Sequence, residues 1–148
     1  MKIGSVLENQ KIEKRIAITP EIAKKYISLG FDVQLSKDYG THLGIVDEEY
    51  KKLGVNFSSE DKEILNSNVI VQLGLLSHDK SSLLKEDQTL IGVLNPYDNK
   101  EKLDVLKNKK IKLFSLELLP RITRAQSMDI LSSQANLAGY KAVIESFA

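Results

Sequence analysis

The sequence predicts an α/β fold, an open and mostly parallel sheet flanked by helices. Three observations point there. Short runs rich in Ile, Val and Leu recur along the chain with little polar alternation, as strands covered on both faces require. Amphipathic stretches with their own start and stop residues separate those runs, the pattern of strands joined by crossover helices. The 148 residues, 42% hydrophobic and 28% charged, suffice for one domain that buries roughly 70% of its unfolded surface.

The elements follow in order. A first strand is expected over residues 2–7. Thr19 then offers an N-cap hydroxyl before the first-turn Pro20, Gly30 closes that helix, and Ile22, Ala23, Tyr26 and Ile27 form its apolar stripe. A second strand spans 32–36, and Asp47 opens a short helix that Gly54 ends. Strands at 68–73 and 89–94 come next. Asp98 and Glu101 read as a capping box for a helix running to about Lys107, with Leu103 and Leu106 facing the sheet. Lys107, Lys109, Lys110 and Lys112 form a solvated, dipole-favoured helix end. The last strand covers 112–117, and a final helix covers 133–148. It reaches Phe147 and Ala148 without a glycine, proline or cationic stop, so it is expected to continue past residue 148.

Lys and Arg total 21 against 20 acidic residues, a net charge of +1. So small a charge gathers no polyanion, which argues against a nucleic-acid partner. No apolar run approaches the ~18 residues of a membrane span, and the N-terminus turns charged before a signal core forms, which places the chain in the cytoplasm. There is no cysteine for a disulfide or thiolate site, and His42 and His78 lack carboxylates at ligand spacing, so no metal is expected. The eight glycines spell neither GxGxxG nor GxxxxGK[ST], and no Ser/His/Asp set or H-E-x-x-H occurs.

The chemistry concentrates in LLPRITRAQSMDILSSQANLAGY, residues 118–140. After an apolar run ending at Pro120, the chain sets down Arg121, Thr123, Arg124, Gln126, Ser127, Asp129, Ser132, Ser133 and Gln134. Ligands of open α/β sheets bind beyond the carboxyl ends of the strands, where this loop is expected to lie. Arg121 supplies a planar donor fork for an amide or phosphate oxygen. Gln126 both donates to and accepts from a carboxamide, Asp129 only accepts when ionised, and Ser132 carries a rotatable hydroxyl. Such a set can hold a nicotinamide ring by its carboxamide and leave one ring face free. The alternative is architectural: Asp129 caps a short helix, Arg121 and Arg124 make surface pairs, and the serines finish turns.

ELLPRITRAQSMDILSSQANLAGYKAV resembles, almost word for word, a signature of the alpha subunits of proton-translocating NAD(P) transhydrogenases, and KRIAITPEIAKKYISLGFDV at 14–33 resembles a segment that they share with alanine dehydrogenases. With SNVIVQLG and QTLIGVLNPYDN the resemblance spans essentially the whole chain. It implies a Rossmann-like or flavodoxin-like N-terminal domain over 1–148, with a glycine-rich NAD-binding Rossmann domain to follow. It further implies hydride transfer from NADH to NADP+ coupled to proton translocation. NAD(H) would be bound mainly by the domain that follows, and NADP(H) by a partner component. The other partners implied are a membrane component and a second copy of the chain, with a cytoplasmic location peripheral to the inner membrane.

Carried onto this sequence, the signature assigns Arg121, Gln126 and Asp129 to catalysis and Arg121, Gln126, Ser127, Met128, Asp129 and Ser132 to the cofactor. Arg15 matches an arginine that holds the substrate carboxylate in alanine dehydrogenases. Gln72 and Val93 stand where those enzymes carry a lysine and a histidine. Neither replaces its counterpart's anchoring or proton transfer, which favours transhydrogenation over amino-acid oxidation. An alanine dehydrogenase relative and a non-catalytic regulatory or interaction module that keeps the scaffold remain the alternatives.

Overall fold

Six strands form one sheet in the computed structural model, which describes residues 1–147. They are β1 (Lys2–Ser5), β2 (Asp32–Ser36), β3 (Asn56–Ser58), β4 (Val69–Val71), β5 (Thr89–Gly92) and β6 (Lys112–Ser115). Their order is β3-β2-β1-β4-β5-β6, and every adjacent pair is parallel. The chain therefore winds outward in both directions from β1, and the gap between β1 and β4 is the switch point at which such sheets open a crevice. The helices are α1 (Pro20–Ser28), α2 (Asp47–Lys51), α3 (Asp61–Ile64), α4 (His78–Ser82), α5 (Lys100–Asn108) and α6 (Ile130–Ser146).

The sheet separates two cores. On one face Val6, Ile70 and Leu90 meet Ile64 and Leu65 at the end of α3, Leu106 of α5 and Ile111, with Leu103 and Leu113 packed at the margin. On the other Ile3, Val33 and Leu35 meet Ile18, Ala23 of α1 and Tyr50 of α2. Tyr39, Tyr50 and Phe57 stack edge to face there, with centroid separations of 6.3 and 6.0 Å, the geometry that aromatic quadrupoles favour. That second core stops short of the β6 side. The paired row Val71, Ile91 and Phe114 runs out onto an uncovered face, where Phe114 is 56% exposed.

Gly4 is fixed by close approach. A Cβ there would stand 2.5 Å from the carbonyl oxygen of Ile64, a main-chain atom that cannot yield.

The Thr19 cap is present, its Oγ1 accepting from Ile22 N at 3.4 Å, and Pro20 occupies the first turn. Leu106 is buried against the sheet as its spacing predicts. Other expectations are corrected. The sheet contains β3, a strand that the sequence does not announce, and it is wholly parallel rather than mostly so. Asp98 and Glu101 form no capping box: α5 starts at Lys100 behind Asn99 without a side-chain cap, and Asp98 Oδ2 instead accepts from Asn95 Nδ2 at 2.6 Å. Asp47 lies in the first turn of α2 and not at its cap, because its carboxylate accepts from Asp38 N at 3.0 Å and holds that turn. Strand β6 ends at Ser115, giving way to a 3-10 turn at Leu116–Leu118. Helix α6 begins at Ile130, earlier than 133, because Asp129 caps it, while Ala148 lies outside the described residues.

Candidate functional site

The stretch after β6 is shaped by its own local chemistry. Pro120 cannot continue a turn that needs its N–H, and its carbonyl accepts from Ile122 N at 2.9 Å. A 3-10 turn follows over Thr123–Met128, pinned by Ala125, its one buried residue. The chain then extends at Asp129 (φ −75°, ψ 95°) and enters α6. Asp129 Oδ1 accepts from Leu131 N at 3.0 Å and Ser132 N at 3.1 Å, and Oδ2 accepts from the Ser132 hydroxyl at 2.6 Å. These donors hold the carboxyl below its ordinary value, the Ser132 hydroxyl contributing most.

Turn and helix enclose a cleft of about 290 Å³ lined by Arg121, Ile122, Thr123, Gln126, Asp129 and Ser132. Arg121 Nε stands 3.9 Å from Asp129 Oδ2, with Arg121 70% exposed and Asp129 16%. Four of the sequence candidates, Arg121, Gln126, Asp129 and Ser132, thus share one cleft. Ser127 and Met128 lie on the same turn, are exposed, and do not line it. Ile122 and Thr123 do line it without having been singled out, and the one hint was their place between Arg121 and Gln126. The architectural alternative is realised as well, since Asp129 caps α6 with the same carboxylate that it presents to the cleft.

Arg15 lies on the loop between β1 and α1. Its Nε and Nη2 grip Glu13 at 2.9 and 2.6 Å, and its Nη1 donates to Gln134 Oε1 at 2.7 Å. It therefore meets α6 two residues beyond Ser132.

A larger cleft of about 880 Å³ opens at the carboxyl ends of β1 to β4 and is lined by, among others, Glu8, Ser36, Asp61, Gln72 and Lys80. Gln72 is fully engaged in it. Its Oε1 accepts from Ser5 Oγ and Val6 N, each at 2.9 Å, and its Nε2 donates to Val6 O and Glu8 Oε1, each at 3.2 Å. Glu8 Oε1 also accepts from Leu73 N at 2.6 Å and Gly74 N at 3.3 Å, yet burial pushes the carboxyl up. Sequence patterns did not mark Glu8, because its partners lie more than 60 positions away.

The smaller cleft lies just under the ~300–1,000 Å³ of sites that enclose a whole drug-sized ligand. It fits a single ring of a dinucleotide, and its amide-complementary lining suits a carboxamide.

Comparison with known proteins supplies the family. Residues 4–138 match the family described as alanine dehydrogenase/PNT, N-terminal domain. The chain is 43% identical to an NAD(P) transhydrogenase subunit alpha of Rickettsia prowazekii, across 98% of its own length and 39% of that protein's. It is 38% identical to the protein of the same name from Rhodospirillum rubrum, over the same shares. Its fold overlays the crystal structure of transhydrogenase from Sinorhizobium meliloti with a TM-score of 0.88 and 39% identity, covering 97% of this chain and 43% of that one. The chain thus spans about two fifths of the length of these relatives. With most of its residues matched and the strand order of a dinucleotide-type sheet, the chain belongs to the alanine dehydrogenase/PNT N-terminal domain family, alongside the transhydrogenase alpha subunits.

Proposed function

We propose that this chain is the first domain of the NAD(H)-binding component of a proton-translocating NAD(P) transhydrogenase, and that the Arg121 cleft positions the nicotinamide of NADH. The observation that carries the reading is the convergence of Arg121, Gln126, Asp129 and Ser132 on one cleft. When bound there, NADH supplies the hydride. Arg121 presents a donor fork to the carboxamide oxygen, and Asp129 accepts from the carboxamide nitrogen. Gln126 is able to serve either side. Ser132 holds the Asp129 carboxylate in place. No lining side chain is a proton donor at neutral pH apart from hydroxyls and the always-charged Arg121, which suits direct transfer between two nicotinamides, where positioning outweighs acid–base chemistry.

The pyrophosphate and adenosine of NADH would be held by a glycine-rich domain that this chain does not contain. NADP(H) would sit on a partner component, and a membrane component would couple the transfer to proton movement. The chain itself is placed on the cytoplasmic side, peripheral to the inner membrane. Among the described residues no helix is long and apolar enough to cross a membrane. A second copy of the chain is the further expected partner. Amino-acid oxidation is disfavoured, since Gln72 spends its amide on Ser5, Val6 and Glu8 and has none left for a substrate carboxylate.

The test is Arg121→Ala in the complete transhydrogenase. Hydride transfer from NADH to NADP+ should fall by about tenfold or more, while the melting temperature stays put because Arg121 is largely exposed and its ion pair is long. A parallel loss of rate and stability, or an unchanged rate, rejects the assignment.

A further inference from the structure

Helix α6 leaves the domain almost without support. From residue 131 to 147 every residue is exposed, and the bonds of Asp129 and Ser132 stay within their own turn. Among the described residues, one hydrogen bond joins α6 to any residue before Pro120. It is the bond from Arg15 Nη1 to Gln134 Oε1, made across 119 positions of sequence.

The donor is held before it reaches Gln134. Glu13 accepts from Arg15 Nε, Nη2 and main-chain N, a bidentate fork plus a backbone bond, which leaves Nη1 directed at the helix. The loop that carries the pair is fastened on both sides. His42 Nε2 pairs with Lys14 O at 2.8 Å, and the Tyr39 hydroxyl accepts from Ala17 N and Ile18 N at 3.1 and 3.3 Å. A rigid body therefore presents one guanidinium to the second turn of a helix whose first turn carries Asp129 and Ser132.

A single bond between exposed partners contributes little to folding stability. It does restrict direction. With its only other restraints at the Asp129 turn, α6 is free to tilt about that turn when Gln134 is released, and displacements on the order of 1 Å at a reacting centre cost up to about 100-fold in rate.

We propose that Arg15 is a positioning residue for hydride transfer: by holding Gln134 it fixes the start of α6 and sets Asp129 and Ser132 against Arg121 and Gln126. The assignment rests on reading the Arg121 cleft as the nicotinamide site. It gives Arg15 a task that requires no substrate carboxylate.

The experiment uses the complete transhydrogenase with Arg15→Ala, Gln134→Ala, both together, and Gln134→Glu, with Asp129→Asn as the control on the cleft. Arg15→Ala and Gln134→Ala should each lower kcat about tenfold and leave the KM for NADH within about twofold, with unchanged melting temperatures. The double variant should be no slower than the slower single one, because both remove the same bond. Gln134→Glu keeps an acceptor oxygen and should retain most of the rate. Multiplying losses in the double variant, a Gln134→Glu rate as low as that of Gln134→Ala, or a change confined to KM would overturn the proposal. If Asp129→Asn slows transfer and Arg15→Ala does not, the role of Arg15 fails while the cleft stands; if Asp129→Asn has no effect, both fail.

Discussion

Asp129 and Ser132 hold each other twice: the Ser132 hydroxyl donates to Asp129 Oδ2 at 2.6 Å, and its main-chain N–H donates to Oδ1 at 3.1 Å. One carboxylate therefore starts a helix and lines a cleft. The two tasks respond differently to substitution. Asn keeps an acceptor oxygen and remains a good N-cap, whereas Ala does not. Asp129→Asn should leave α6 intact by amide exchange and still slow hydride transfer, since the anion is gone. Asp129→Ala should slow transfer and also unprotect the first-turn amides of α6. Because its donors hold the carboxyl below 3.8, the wild-type anion persists through mild acid, and no acid limb of activity above that value should belong to it. Equal exchange protection in the two variants would separate the cap from Asp129.

A buried polar chain beneath the larger cleft makes a second prediction. The Tyr39 hydroxyl lies 2.7 Å from Ser5 Oγ, which donates to Gln72 Oε1 at 2.9 Å, and the same phenol oxygen accepts from Ala17 N and Ile18 N. Tyr39→Phe keeps the ring stacked on Tyr50 and strips these groups of their partner in a site that water does not reach. The cost should be about 1–3 kcal/mol by denaturant unfolding. A loss well below that range would show that water replaces the hydroxyl.

How much of this was legible follows from where each residue finds its partners. The buried strands were, because Val33, Leu35, Ile70 and Leu90 need only be apolar and consecutive with their neighbours to be recognised. Strand β3 was not: Asn-Phe-Ser carries one apolar residue, and it is a strand only because Gln34, Leu35 and Ser36 pair with it. The one-turn helices α3 and α4 are too short for a periodic signal. In the site, Arg121, Gln126, Asp129 and Ser132 lie within twelve positions, so a turn and one helix start suffice to gather them. The tasks of Arg15 and Glu8 depend on residues 119 and about 65 positions away, contacts that no local spacing encodes.

Gly4 tests the packing of the sheet centre. A methyl group there meets the Ile64 carbonyl oxygen at 2.5 Å and Ser67 Oγ at 2.7 Å. The end of α3 must retreat from β1 to admit it, which opens the core around Val6, Ile64 and Ile70. Overpacking of this kind costs about 1–3 kcal/mol. Gly4→Ala should lose that much stability, measured as a lower denaturant midpoint, and a variant as stable as the parent would mean that α3 is not seated on β1 as described.

Glu8 makes stability depend on pH in a direction opposite to most carboxylates. Burial raises its carboxyl above 4.5, outweighing the lowering effect of Leu73 N and Gly74 N. A group that binds its proton more tightly when folded favours folding most in acid. That contribution is full below 4.5, declines as pH rises towards the raised folded value, and is absent above it. The three hydrogen bonds to Glu8 all end on Oε1, so the carbonyl oxygen of a glutamine can accept every one of them without burying a charge. Glu8→Gln should therefore melt higher than the parent at neutral pH and lose that advantage as the buffer approaches pH 4. An advantage that grew in acid would mean that the carboxylate, and not its neutral form, is the species that the fold prefers.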